Sequence, residues 1–440
     1  MFAETGPEPA RRPPLLPRGG SIPFILVTTL FFLWGIPNNL NDVLIRQFMK
    51  SFVMTRLEAG LIQSAFYMGY FLLAVPAALV MRRLGYKSGF VAGLFLYSLG
   101  CVLFWPAANV GRYSFFLVAL FIIASGLSFL ETAANPFIAQ MGDPLTAARR
   151  LNLAQAFNPL GSITGVLIGT IFIFSGVELT PSQIAALQAR HAYASYLHSE
   201  TLRVVTPYLV LSALTLTMLV LIALTRFPAS LTETEHQEAG HGSLRALLRY
   251  PHFLMAVVAQ FAYVGAQVGT WSYFIPYILS CTREQEKAGG YLLTGTLVLF
   301  LIGRFLSAWL MRFVEPTRLM LIYAVVNTVL AAIGAAFPGW LGVSALLLTS
   351  FFMSLMYPTI FAQGIRGLGE NTKLGGSLIV MAIVGGAVLT PAMGLISVHM
   401  GVAPAYGVPA LAYLFIAFYS LTDLRIMRSG AISVQLTRQA

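Results

Sequence analysis

The sequence predicts an all-α membrane protein of twelve transmembrane helices, arranged as two halves of six. Three observations carry that prediction. The 440 residues are 57% hydrophobic and only 10% charged, well below the quarter or so of charged residues that coats a soluble domain. The apolar residues fall in runs of about twenty, the length at which a helix crosses a hydrocarbon core, and mean hydropathy is +0.77. Lipid offers no partner to backbone N–H and C=O groups, so uninterrupted runs of this kind read as helices.

The runs place spans near 22–47, 58–81, 88–106, 114–140, 152–175 and 207–226. A second set lies near 252–279, 290–311, 319–337, 341–364, 374–398 and 403–424. Residues 1–20 are rich in Pro, Arg and Gly and lack the apolar run and small-residue cleavage site of a signal peptide. They read as a cytoplasmic tail. A polar linker at 227–250, containing Glu233, Glu235, His236 and Glu238, separates an N-terminal six-helix half (21–226) from a C-terminal one (251–425). Residues 426–440 form a second tail. The long segment 176–206 is expected on the outer side, with a short surface helix around 181–194.

Orientation follows from the basic loops. With the N-terminus inside, Arg82, Arg83, Lys87, Arg149, Arg150, Arg226, Arg245, Arg249, Arg312, Arg318, Arg366 and Lys373 all face the cytoplasm. Fewer basic residues, among them Arg46, Lys50, Arg112, Arg190, Arg203 and Arg283, fall on the other side. This bias of roughly two to one is the positive-inside signature. A formal net charge of +11 would suggest a nucleic-acid partner in a soluble protein, but spread over short loops it does not. The expected setting is a bacterial-type inner membrane, with both termini cytoplasmic.

Three charged residues stand well inside predicted spans, clear of their ends: Asp42, Glu131 and Arg304. A mid-bilayer charge costs at least about 2.5 kcal/mol on insertion scales, so each must face a cavity or a partner. Asp42 closes the polar cluster Asn38-Asn39-Leu40-Asn41-Asp42, toward the outer end of the first span. Glu131 lies deeper, between apolar stretches, in Leu130-Glu131-Thr132-Ala133-Ala134-Asn135-Pro136. Burial disfavours a charged carboxylate, which suits a group that takes up and releases protons. The competing reading is a structural hydrogen bond between helices. For Arg304 the competing reading is stronger, since an arginine there can brace a helix end or bind backbone carbonyls.

Amides and aromatics form a second set. Gln63, Asn152, Gln155 and Asn158 stand in the first half, and Gln260, Gln267 and Gln363 in the second. Gln155 and Asn158 share a helical face at a spacing of three. Amides both donate and accept, as hydroxyl-rich ligands require, and Trp34, Tyr67, Trp271, Tyr273 and Tyr357 offer flat surfaces to the apolar face of a sugar ring. Singly, amides also join helices and aromatics sit at interfaces; together they point to a neutral polar ligand. Asn135-Pro136-Phe137-Ile138 in the fourth span matches Tyr357-Pro358-Thr359-Ile360 in the tenth, and Arg150 matches Lys373, as expected of transporter repeats flanking a midplane site.

Other classes find little support. No Walker-type glycine loop followed by lysine is present, and the six histidines are scattered without metal spacing. Cys101, placed in a span, and Cys281, placed in an outer loop, make no disulfide framework. No cofactor and no metal are expected. A membrane enzyme acting on lipid-linked sugar would need surface acids or histidines beside a large polar loop, which the sequence lacks.

The motifs resemble the fucose:proton symporter family of the major facilitator superfamily. The resemblance rests on Asn38-Asn39-Leu40-Asn41-Asp42, Gly60-Leu61-Ile62-Gln63-Ser64-Ala65-Phe66-Tyr67, Leu130-Glu131-Thr132-Ala133-Ala134-Asn135-Pro136-Phe137, Arg150-Leu151-Asn152-Leu153-Ala154-Gln155, Tyr263-Val264-Gly265-Ala266-Gln267, Gly303-Arg304-Phe305 and Tyr357-Pro358-Thr359-Ile360-Phe361. It implies two six-helix bundles, a central sugar site and alternating access. It further implies that Glu131 takes part in sugar binding and proton coupling, and that Asp42 is a second protonation site. Asn39, Gln155, Asn158 and Tyr357 are implied to line or support the pocket. The loop Arg82-Arg83-Leu84-Gly85-Tyr86-Lys87 keeps the basic character of the superfamily's signature loop but lacks its aspartate.

The expectation is therefore a monomeric, non-enzymatic importer of a monosaccharide, L-fucose or a related sugar, with protons. Its proton-coupling residues are Glu131 and Asp42. Its substrate-binding residues are Glu131, Asn39, Gln155, Asn158, Tyr357, Trp34, Gln63, Gln267 and Trp271. Passive facilitation and sodium coupling are the rivals within transport; the two acids speak against the first and do not separate sodium from protons.

Overall fold

The computed structural model describes residues 14–17, 19–54, 61–174, 179–227, 243–282, 284 and 286–439. Within them the side chains of Asp42, Arg46, Gln63, Glu286, Lys287 and 426–439 are not described. The acidic stretch of the expected linker, Glu233 to Glu238, and most of the N-terminal tail lie outside the described residues.

Among these residues eleven helices are long and apolar enough to cross a membrane. One of them, Leu61–Val110, has 50 residues, about 75 Å at 1.5 Å per residue and enough for two crossings. It breaks at Gly85, where φ is 79°, a left-handed conformation that costs glycine little. Its arms are α2 (61–84) and α3 (86–110). The other spans are α1 (Ser21–Ser51), α4 (Tyr113–Gln140), α5 (Pro144–Ile173) and α6 (Tyr193–Leu224) in the first half. The second half holds α7 (Pro251–Thr282), α8 (Glu286–Leu310), α9 (Pro316–Ala336), α10 (Trp340–Gly364), α11 (Gly369–Met400) and α12 (Val402–Arg425). The sequence expectation of twelve crossings is met.

Several boundaries differ. The outer surface helix is Pro181–Ala189, opened by a Thr180–Gln183 capping box that satisfies its first donors. The chain then re-enters helix at Tyr193, well before the expected 207. Cys281 sits in the last turn of α7, not in a loop, and both cysteines are free. Residues 426–439, expected as a tail, continue helical to Gln439. Polar sequence at a helix end is compatible with helix once water can solvate it, so apolar length alone underestimates these elements.

Packing repeats between the halves. α1 lies against α5 as α7 lies against α11, and α3 against α6 as α9 against α12. The first crossing is backbone to backbone: a Cβ added at Gly161 would fall on the Phe32 carbonyl oxygen, and one at Gly165 on that of Ile36. The matching crossing has Gly385 on the Phe261 carbonyl oxygen. Small residues allow this approach where lipid gives helices no hydrophobic reason to associate.

The end carrying Arg82, Arg83, Arg149, Arg150 and Lys373 is the one the basic bias assigns to the cytoplasm, and it is called the inner end below. Here the first half's apolar core runs on into Phe361, Ile365, Leu374 and Ile379 of α10 and α11, so the halves are fused at this end. Arg150 is fully buried there. Its Nε donates to Ile138 O at 2.7 Å and its terminal nitrogens donate to Ala139 O, Thr146 Oγ1 and Leu15 O. A cation thus satisfies the orphan carbonyls closing α4, the end its dipole favours. Lys87 serves α6 likewise, donating to Ala223 O at 2.7 Å and Thr225 O at 3.1 Å.

Candidate functional site

Away from the inner end the halves separate around a cavity of about 620 Å³, within the range of small-molecule sites. Its walls come from α1, α2, α4 and α5 on one side and α7, α8, α10 and α11 on the other. It extends toward the outer ends, past Ile45, Phe66, Ile275 and Leu293. The cavity is therefore open toward the far end and closed at the end that carries the basic residues.

Glu131 lies at the cavity floor, on a stretch of α4 buried continuously from Ile123 to Ala139. Tyr357, on α10 of the other half, donates its hydroxyl to Glu131 Oε1 at 2.5 Å, offsetting part of the hydration a buried carboxylate loses. One turn along α4, Asn135 Oδ1 accepts from Gln155 Nε2 at 2.7 Å. Gln155 Oε1 in turn accepts from Arg304 NH1 at 2.7 Å. The Arg304 guanidinium lies 4.9 Å from the Phe300 ring centroid, a cation–π contact that helps hold a buried charge. Two cross-half links, Tyr357–Glu131 and Arg304–Gln155, therefore form the floor.

Local helix breaks aim these groups. α5 is interrupted at Ala156 and Phe157, between Gln155 and Asn158, and α10 at Ser354 and Leu355, just before Tyr357. In each case a proline follows closely, Pro159 and Pro358, whose missing N–H weakens the ladder. α11 passes through a 3-10 turn, Ala382–Val384, where Ile383 meets the cavity.

Of the residues singled out in the sequence, Glu131, Asn39, Gln155, Asn158, Tyr357, Trp34, Gln267 and Trp271 all line the cavity. Asn158 Nδ2 donates to Phe31 O at 3.2 Å, and Trp271 Nε1 donates to Ser350 Oγ at 3.1 Å. Trp34 packs on Phe31, ring centroids 4.3 Å apart. The side chains of Asp42 and Gln63 lie outside the described set; Asp42 belongs to α1, three positions beyond Asn39. Of the wider candidates Tyr67 also lines the cavity, whereas Tyr273, Asn152, Gln363 and Gln260 stand elsewhere. Asn152 donates to Thr359 Oγ1 at 3.1 Å below the floor, Gln363 donates to Thr317 Oγ1 at 2.7 Å, and Gln260 is fully buried off the cavity. The cavity also uses Asn38, Tyr70, Ser162 and Phe300. Asn38 was visible in the polar cluster, whereas Ser162 and Phe300 carry no sequence signal. Arg304, for which the sequence favours a helix brace, faces the cavity.

A chamber of apolar walls set with amides, an acid and a cation, at the middle of a twelve-helix membrane bundle, open at one end and closed at the other by contacts between halves, defines a multi-pass membrane transporter. The family model of the Major Facilitator Superfamily matches residues 24–391. The L-fucose-proton symporter of Escherichia coli (strain K12) is 46% identical over 406 residues, covering 91% of this chain and 92% of that protein. A glucose/galactose transporter of Brucella abortus is 34% identical over 403 residues, covering 90% and 92%. The crystal structure of a variant of the E. coli fucose:proton symporter superposes with a TM-score of 0.83 at 44% identity, over 92% of this chain and 98% of that one. The chain belongs to the Major Facilitator Superfamily and, within it, to the fucose:proton symporter family.

Proposed function

We propose that this protein imports a monosaccharide, L-fucose or a related sugar, together with protons across a bacterial-type inner membrane by alternating access, both termini being cytoplasmic. The observation that carries the reading is the bond between Glu131 and Tyr357. A carboxylate that faces the ligand space and also joins the two halves can make the conformational equilibrium depend on its proton. Amides from both halves, Asn39, Gln155, Asn158 and Gln267, fit a neutral polyol, and Trp34 and Trp271 offer flat apolar faces. The names of the relatives support the same substrate class.

In the proposed cycle Glu131 takes a proton from the outer side, with Asp42 as an outer protonation site, and sugar binds. The halves then rock and both cargoes leave inward. Each charge crossing a 100 mV potential contributes about 2.3 kcal/mol, and coupling requires that protonation favour one conformation over the other. The test is sugar-dependent alkalinisation outside inward-transporting vesicles. L-fucose or a related sugar should produce it with the wild type and not with Glu131→Gln. No pH change with wild type across a sugar panel overturns proton symport. A response that needs sodium transfers the coupling to that ion.

A further inference from the structure

We propose that Arg304 is the positioning residue that keeps the empty cavity closed inward, by clamping Gln155 across the halves, and that a bound ligand opens the inner side by taking Gln155 from it. Arg304 is a buried cation, 4% exposed, on α8 of the second half. It borders the cavity together with Glu131, and these are the charged side chains among the described lining residues. Its NH1 donates to the Gln155 side chain at 2.7 Å and approaches the Gln155 main-chain oxygen at 3.4 Å, while its Nε has no partner. The clamp therefore uses part of the guanidinium fork, and a cation this buried gains from every further acceptor.

Gln155 serves two masters at this point. Its amide carries the hydrogen bonds to Arg304 and Asn135 that tie α5 to α8 and α4, yet the same residue faces the ligand space. A hydroxyl-rich ligand that accepts from the guanidinium or donates to the Gln155 carbonyl competes directly with the clamp. Ligand arrival and loosening of the floor are then one event. A charge-assisted hydrogen bond of this kind biases an equilibrium by roughly one to two powers of ten. Below it Asn152–Thr359 and Lys373 over Tyr86 still join the halves, so losing the clamp shifts the equilibrium without abolishing closure.

The proposal that ligand releases the clamp rests on the sugar-transport reading; the clamp itself does not, and the experiment separates them. A cysteine reporter is placed at Gly376, where an added Cβ lies 3.6 Å from Pro136 of the other half, within the inner seam. Cys281→Ser removes the partly exposed native thiol. Maleimide labelling of Gly376→Cys is timed in membranes without any sugar. Arg304→Met should label about tenfold faster than the parent, and Arg304→Lys, which keeps the charge on a single donating nitrogen, should fall between them. Arg304→Gln is read in the same way if the Met variant does not accumulate. A rate unchanged in every folded variant overturns the clamp. With Arg304 intact, L-fucose should speed labelling, and a sugar that binds but slows labelling overturns release by the ligand. If a sugar that quenches Trp34 and Trp271 leaves the parent rate unchanged while Arg304→Met still labels faster, the clamp stands and release by the ligand falls; if no sugar in the panel quenches them, the sugar reading falls.

Discussion

The hydroxyl of Tyr357 donates to Glu131 Oε1 at 2.5 Å across 226 positions of sequence. One bond thus joins a ligand-facing acid of the first half to the second. Tyr357→Phe leaves the carboxylate buried with one donor fewer. The loss of such a bond costs about 1–3 kcal/mol, so sugar affinity should fall about fivefold or more. Quenching of Trp34 and Trp271, both in the cavity wall, reads that affinity directly; unchanged binding would remove Tyr357 from the site.

Glu131→Gln keeps the shape of the side chain and discards its proton chemistry. Sugar counterflow, which needs binding and rocking but no net proton movement, should persist at a reduced rate. Accumulation driven by a pH gradient should vanish. If accumulation survives, the coupling acid lies elsewhere, with Asp42 the next candidate, and Asp42→Asn should then abolish it.

Lys373 lies 4.9 Å from the centroid of the Tyr86 ring, joining the inner ends of α11 and α3. A desolvated cation–π contact contributes about 2 kcal/mol. Lys373→Met and Tyr86→Leu should each populate inward-open molecules, whereas Tyr86→Phe keeps the ring face and should change little. Spin labels at the exposed positions Leu145 and Glu370 report the outcome as a longer inner-side distance in the first two variants. Equal distances in all three would show that the contact carries no closure energy.

Gly161→Ala and Gly385→Ala would press a methyl group onto a backbone carbonyl oxygen, which cannot swing aside. Overpacking costs about 1–3 kcal/mol where side chains can adjust, and these sites should reach the upper end or beyond. Both variants should lose thermal stability in detergent. Gly290→Ala, with nothing within 4 Å of the added carbon, is the control and should match the parent.

Much of this was legible in the sequence because a bilayer simplifies the problem. Apolar length reports a span directly, and a carboxylate such as Glu131 in mid-span must have a purpose. Tyr357 and Gln155 were reachable through motifs that keep their types together. Arg304 was harder. Its charge was visible, but its partner Gln155 is 149 positions away, and no local pattern distinguishes a cavity cation from a helix brace. The inner seam was hidden for the same reason: Lys373 and Tyr86 each look like ordinary loop-end residues until the halves are assembled. Helix ends escape the hydropathy pattern where polar turns continue a helix past the hydrocarbon, as at Tyr193.

The interruptions in α5, α10 and α11 all fall at the depth of the cavity floor, leaving short inner arms at Ala147–Gln155, Met356–Gly364 and Thr372–Met381. Such arms can tilt about their breaks while the lipid-facing stretches beyond them stay in place. Inward opening by that route changes the protein's cross-section mainly in the inner leaflet. Its rate should then respond to lateral pressure asymmetrically, through lipids of differing headgroup size in the inner leaflet far more than in the outer.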